Sequence, residues 1–299
     1  MVKKSFYYKV LLVLTLPVLF SFTSFWGFQG HETINNKAIY CLSGDMFKFY
    51  KENIDYITAH SVDPDKRRHS DEKEAPRHYI DIDHYAAPGE DPFAVMPRKW
   101  ADASEKFSED TLLTYGIVPW RVLQMSANLK EAFMQKDKSE ILRLSAELGH
   151  YVADACVPLH STENYDGQLT NQKGIHSFWE TRLVELYIND YDLICDKATY
   201  IEDQQDYIWT LVEESFNNVE LVLDAEKVAS QSLDEDEKFI IDDSNGYEKM
   251  LPSPSFSALF NTGLNGMVEA RMRRSIEAVS SFWFTAWVNA GQPDLSELE

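Results

Sequence analysis

The sequence predicts an all-α protein, a single multi-helix domain with long irregular loops. Three observations carry that expectation. From residue 31 onward most segments place apolar residues at i, i+3 and i+4, the pattern of a helix with one buried face. No succession of alternating apolar and polar runs marks a series of strands. No self-similarity at roughly 20–50 residues and no sustained heptad points to a solenoid or a coiled coil. At 299 residues the chain is long enough to bury one sizeable core.

The elements follow in order. The opening "MVKKSFYYKVLLVLTLPVLFSFTSF" sets Lys3, Lys4 and Lys9 before the apolar run Val10 to Phe20. That is the form of a secretory signal peptide, too short for a confident transmembrane span. Residues 1–25 are therefore expected to be a leader, cut between Ser21 and Trp26, with the small-residue rule favouring a cut after Ser24. The mature domain would be 26–299, secreted or periplasmic, or membrane-anchored if the leader stays. "HETINNKAIYCL" sets Ile34, Ala38, Ile39 and Leu42 on one helical face, and "FKFYKENIDYITAHS" continues in the same way. Residues 62–99 hold five prolines and read as a long ordered loop with short helical or extended pieces. Residues 117–136 carry Val118, Val122, Met125, Leu129, Ala132 and Phe133 on one stripe, and 139–156 form a second strong helix with Ser139 as its N-cap.

Residues 164–174 are polar with two glycines, a loop. Helices are predicted over 175–188 and, as one or two, over 200–230. "SLDEDEKFIIDDSNGYEKMLPSPS" reads as an exposed connection. A final helix over 263–290 stops at Gly291 and Pro293; Trp283 and Trp287 in it are expected in the core. Cys41, Cys156 and Cys195 are an odd, sparse set that makes no disulfide framework; one bridge is possible, and burial as small apolar side chains is expected.

The charge balance is acidic, 28 Lys and Arg against 49 Asp and Glu. That argues against a broad basic face for duplex DNA, but not against a phosphodiester held by cations, which dominate the local charge of such a site. The chemistry concentrates in "LGHYVADACVPLH" and "GIHSFWE". His150 and Asp154 share a helix face one turn apart, Pro158 turns the chain, and His160 lies just beyond. His176 and Glu180 repeat the one-turn pairing. Upstream, "APRHYID" supplies His78, "SVDPDK" supplies Asp63, and "WGFQGH" supplies His31. Neutral imidazole with carboxylate oxygen is a donor set for Zn²⁺. His60, His69 and His84 are left for the surface or for supporting positions.

In order from Trp26 to Glu180, this string resembles the superfamily that unites the fungal single-strand-specific zinc nucleases with the bacterial zinc-dependent phospholipases C. The pattern there is W…H near the mature N-terminus, D…H, H-x3-D-x5-H, then H-x3-D/E. "FWFTAWVNAGQPDL" also looks like the closing helix of bacterial nuclease-like members. The resemblance implies three zinc ions. Asp63, His78, His150 and Asp154 would hold one; His160, His176 and Glu180 the second; Trp26, His31 and a bridging Asp154 the third. In the family the Trp ligates through its own amino group and carbonyl, so the leader would be cut directly before Trp26, after Phe25; a cut that leaves Phe25 removes that amine.

The resemblance further implies hydrolysis of phosphodiesters by zinc-activated water, with Asp63 also orienting the water and Lys66, three residues on, contacting phosphate. Tyr79 would stack on a base and Asp81 bond its edge. The short Trp-to-His spacing and "HYID" resemble the nucleases. "GHYVADACVPLHSTENY", "QKGIHSFWE" and the closing Glu are similar to the phospholipases. The phospholipase tyrosine that helps cage choline is absent, because Val62 and Pro64 flank Asp63. The expected substrate is single-stranded nucleic acid or nucleotides, ahead of phospholipid, with no obligate protein partner. A non-catalytic helical zinc-binding protein is the remaining alternative.

Overall fold

A computed structural model of the chain describes residues 27–243, 248–296 and 298. The expected leader, residues 1–25, and Trp26 lie outside the described residues. Among those described, no helix is long and apolar enough to cross a membrane.

The centre of the fold is a helical hairpin, Val118–Gln135 followed by Lys138–Asp154. Lys136 adopts a left-handed backbone (φ 57°) that ends the first helix. Asp137, not Ser139, caps the second: its carboxylate accepts from the Glu140 N–H at 3.1 Å, and the Ser139 hydroxyl bonds that same carboxylate at 2.8 Å. Every residue from Leu144 to Asp154 is buried. A helix enclosed on all sides needs neighbours on all sides, and here they are Phe28–Tyr40, Ile54–Ala59, Val118–Gln135 and the closing Met267–Asn289. Trp283 locks the last of these on. Its indole N–H donates to the Ser145 carbonyl at 2.9 Å, and its ring stacks 4.9 Å from Tyr50, whose hydroxyl pairs with the Ser145 hydroxyl at 2.8 Å.

The first helix comes closest at Gly149. Asn35 donates to the Ala146 carbonyl at 3.0 Å, and a Cβ on residue 149 would stand 2.1 Å from Asn35 Oδ1. The glycine is thus set by helix-on-helix approach, one residue before His150.

Elsewhere the boundaries differ from the expected ones for local reasons. The helix expected over 175–188 is interrupted by a π turn, Phe178–Arg182. The segment 200–230 divides into Gln204–Phe216 and Val219–Gln231. Gly263 belongs to the Pro254–Leu264 helix, because left-handed Asn265 and Gly266 break the chain there. The expected exposed connection carries an antiparallel hairpin, Phe239–Asp242 with Lys249–Pro252; strands of four residues are too short to show a period of two. Residues 62–99 contain the short pieces Asp63–Arg67, Ala75–Arg77, Ile82–Tyr85 and Pro92–Val95. The three cysteines are free thiols, with Cys41 and Cys156 buried and Cys195 partly so. Trp283 is in the core and Trp287 packs against it.

Replacing glycine by alanine inside a helix ordinarily gains up to about 1 kcal/mol. At this contact the sign reverses: Gly149→Ala is expected to destabilise by about 1–3 kcal/mol through overpacking, read as a lower denaturant midpoint at unchanged slope.

Candidate metal centre

The end of the Lys138–Asp154 helix delivers His150 and Asp154 on one face. His150 Nδ1 faces the Ser61 carbonyl at 2.8 Å, which turns its Nε2 inward. The Pro158–His160 turn brings in His160, whose Nδ1 faces the His78 carbonyl at 2.6 Å. His176 follows the left-handed Gly174 and sets Nδ1 on the Tyr165 carbonyl at 3.0 Å. Glu180 sits on the π turn, where its own carbonyl receives the Gly27 N–H at 3.2 Å.

Three groups result. Around Asp154 Oδ2 stand His78 Nδ1 at 2.9 Å and His150 Nε2 at 3.3 Å. Asp65 Oδ1 completes this group, 3.5 Å from His150 Nε2 and 3.6 Å from His78 Nδ1. The other oxygen, Asp154 Oδ1, faces His31 Nε2 at 3.4 Å, and the His31 ring stacks on His150 at 3.9 Å. Separately, Glu180 Oε2 lies 3.1 Å from His176 Nε2 and 3.4 Å from His160 Nε2. All these side chains are buried. Within each of the sets His31–Asp65–His150, His78–His150–Asp154 and His160–His176–Glu180, one donor atom per residue lies within 4.8 Å of the others.

The residues present fit a divalent metal. Both carboxylate oxygens of Asp65 and both of Glu180 are buried without a hydrogen-bond partner, a placement that costs several kcal/mol unless a cation compensates it. The donors are imidazole nitrogens and carboxylate oxygens, which suits zinc. The titration of the groups follows from the same crowding. Burial disfavours charge on His160, but Asp154 and Glu180 outweigh it and push its pKa up to about 9. Burial likewise opposes charge on Glu180, yet His176 and His160 hold it down to about 2. Asp65, buried and only partly offset by His150 and His31, rises to about 6.

Asp63, expected as a ligand and water-orienting group, stands outside these groups. It is half-buried on the outer flank, 2.5 Å from His60 Nδ1 and 3.2 Å from Lys66 Nζ. Asp65 occupies the place instead. Two residues apart on the Asp63–Arg67 helix, the two acids point about 200° apart, so only one faces inward. Lys66 is exposed, paired with Asp63 and poised over the Phe28 ring at 5.9 Å, not turned to the centre. The basic residue three beyond Asp65 is Arg68, half-buried, whose charge acts on both Asp65 and Tyr79. The doublet in "DPDK" was the available signal, since either acid could have been the inner one.

Tyr79 is half-buried, with its hydroxyl donating to the Thr114 carbonyl at 3.1 Å. Asp81 is buried, and its backbone N–H holds the Tyr115 carbonyl at 2.7 Å. Burial raises the Asp81 carboxyl to about 7, reinforced by Asp83 and Glu163 and countered by His160. Asp81 thus lies within electrostatic reach of His160 and shares an acidic wall with Asp83 and Glu163. In that wall Asp83 accepts from the Thr162 hydroxyl at 2.6 Å and the Glu163 N–H at 2.9 Å, while Glu163 meets His84 Nδ1 at 3.1 Å. His84 stacks on Tyr115 at 3.3 Å. Of the three histidines left over by the sequence, His84 is the one that meets this wall, through Glu163.

A family model described as zinc dependent phospholipase C matches residues 30–227. No curated protein matches the chain.

Two outcomes follow from this geometry. Asp65→Asn is expected to lower the zinc content of purified protein by about one ion, and Asp63→Asn to leave it unchanged, by elemental analysis. Without metal, the raised pKa of His160 means it holds a proton at neutral pH, and ligation requires the neutral ring. Zinc affinity should therefore rise with pH through neutrality up to about pH 9, by roughly tenfold per unit for one displaced proton, seen as proton release on binding and by chelator competition.

Proposed function

The chain belongs to the zinc-dependent phospholipase C family, a zinc hydrolase of phosphoester bonds, and we propose that it acts on the phosphodiester of a zwitterionic phospholipid bearing an ammonium headgroup. The observation that carries this reading is the wall formed by Asp81, Asp83 and Glu163 beside the His160 group. Carboxylates there attract a cationic head. A polyanionic strand is usually tracked by a basic groove, whereas Arg68 is the basic group that acts on both Asp65 and Tyr79, and the chain's net charge is −21. The residues flanking Asp65 are Pro64 and Lys66. Neither sequence neighbour is an aromatic that would help cage a quaternary ammonium, so a primary ammonium, which donates hydrogen bonds to carboxylates, is favoured.

In this reading Asp65, His78, His150 and Asp154 would hold one zinc ion, His160, His176 and Glu180 a second, and His31 and Asp154 a third; Trp26, expected as a further ligand, lies outside the described residues. Zinc so held supplies Lewis acidity toward phosphoryl oxygen and lowers the pKa of water. Asp154 keeps the first and third groups in register through its two oxygens. The unpartnered Asp65 Oδ2 orients the attacking water by accepting its hydrogen. Arg68 balances phosphate charge, and Asp81 receives the headgroup. The leader-like residues 1–25 support export of the enzyme.

One observation favours a second reading. Tyr79 and Asp81 also suit a base, the ring for stacking and the buried carboxyl for an edge N–H, which keeps single-stranded nucleic acid or a nucleotide as the alternative substrate.

Zinc-loaded protein is expected to release phosphoethanolamine from phosphatidylethanolamine micelles faster than phosphocholine from phosphatidylcholine, and to lose both activities to chelator. Turnover of single-stranded DNA, RNA or 3′-nucleotides with inert lipid would replace the lipid reading by the nuclease one. Silence on all of them in a zinc-loaded sample would leave a binding protein.

A further inference from the structure

Four histidines of the centre have one ring nitrogen against a protein group and the other turned inward. Three are held alike: a neutral backbone carbonyl faces Nδ1 of His150, His160 and His176, and Nε2 points to the carboxylates. His78 is reversed. Its Nδ1 faces the centre, 2.9 Å from Asp154 Oδ2 and 3.0 Å from His150 Nε2, while its Nε2 lies 3.5 Å from Glu74 Oε1.

Glu74 is completely buried. Its Oε2 accepts from Arg67 Nε at 2.9 Å and Arg77 Nη1 at 2.7 Å, and its Oε1 accepts from the Tyr151 hydroxyl. Arg67 in turn forks onto Glu147 at 3.2 and 3.1 Å, and Glu147 also takes Arg143 at 3.0 Å. This chain of alternating charges runs from the partly exposed Arg143 to the buried ring of His78. The two guanidinium groups and the phenol hold the Glu74 carboxylate in place, with Oε1 toward His78 Nε2.

We propose that Glu74 is the positioning residue of this centre. It keeps the His78 proton on Nε2, so that Nδ1 presents its lone pair to the metal, and its charge makes His78 a stronger donor than the three carbonyl-held rings. A carboxylate behind a ligating histidine is a general means of fixing ring and tautomer, and its loss typically costs about 10–100-fold in metal affinity. The proposal rests on reading these side chains as a zinc centre, but not on the identity of the substrate.

The test compares Glu74→Gln with Glu147→Gln in the full-length processed protein, by zinc affinity from chelator competition and by metal-free thermal stability. Glu147→Gln disturbs the same Arg67 without touching His78. The expected result is a 10–100-fold loss of affinity for one zinc in Glu74→Gln, against less than about threefold in Glu147→Gln. Equal losses in both variants, or none in Glu74→Gln, would overturn the proposal. Should Glu74→Gln fail to fold, the wild-type tautomer decides the matter. In zinc-loaded protein, ¹⁵N–¹H correlation should find the His78 proton on Nε2; a proton on Nδ1 would overturn the assignment. Wild-type protein that binds no zinc would instead refute the metal centre itself.

Discussion

The structure depends on one buried carboxylate. Asp154 ends a helix with no exposed face over its last three turns, and its two oxygens look to opposite sides, one to His78 and His150, the other to His31. Nothing neutral could be put there without leaving imidazoles unmatched, and no acid could sit there without positive charge nearby. Asp65 and Glu180 add further buried anionic groups within the same region. Charges gathered so densely in a low-dielectric interior are tolerable when cations are bound among them, which would couple metal binding to folding.

The scaffold makes that crowding possible by removing freedom elsewhere. The hairpin of Val118–Gln135 and Lys138–Asp154 is clamped by Trp283 and Tyr50 at Ser145 and by Asn35 against Gly149, both within one and a half turns of His150. His31 comes from the Phe28–Tyr40 helix, and the other donors come from segments 62–85 and 158–180, which are built of short pieces. Backbone carbonyls orient three of the rings: Ser61 faces His150 of the hairpin, His78 faces His160 and Tyr165 faces His176. His78 is both ligand and support, since its carbonyl aims His160 while its ring faces Asp154. The first group and the second are thereby tied through a single residue.

Carboxylates also gather beside the His160 group. Asp81, Asp83 and Glu163 stand next to the His160 group on backbone fixed by the Ile80 N–H to His160 carbonyl bond at 2.9 Å. In the proposed phospholipid reading, phosphate would go to the metal and the ammonium to this cluster.

The sequence by itself determined the helical class, the two His–carboxylate pairs one turn apart, and the third histidine beyond Pro158, because spacing on a helix fixes which side chains share a face whatever the fold around them. It also fixed the long amphipathic hairpin to within a residue or two, since its apolar stripe spans several turns. The inner acid it did not determine. Asp63 and Asp65 lie on opposite faces of a helix of five residues, too short for its own pattern to say which face is buried, and packing against the Lys138–Asp154 helix chose Asp65. Nor did it show Glu74, whose role comes from Arg67, Arg77, Tyr151 and His78 meeting around it. Tyr151 approaches from a separate helix, a contact that exists only once the chain has closed on itself.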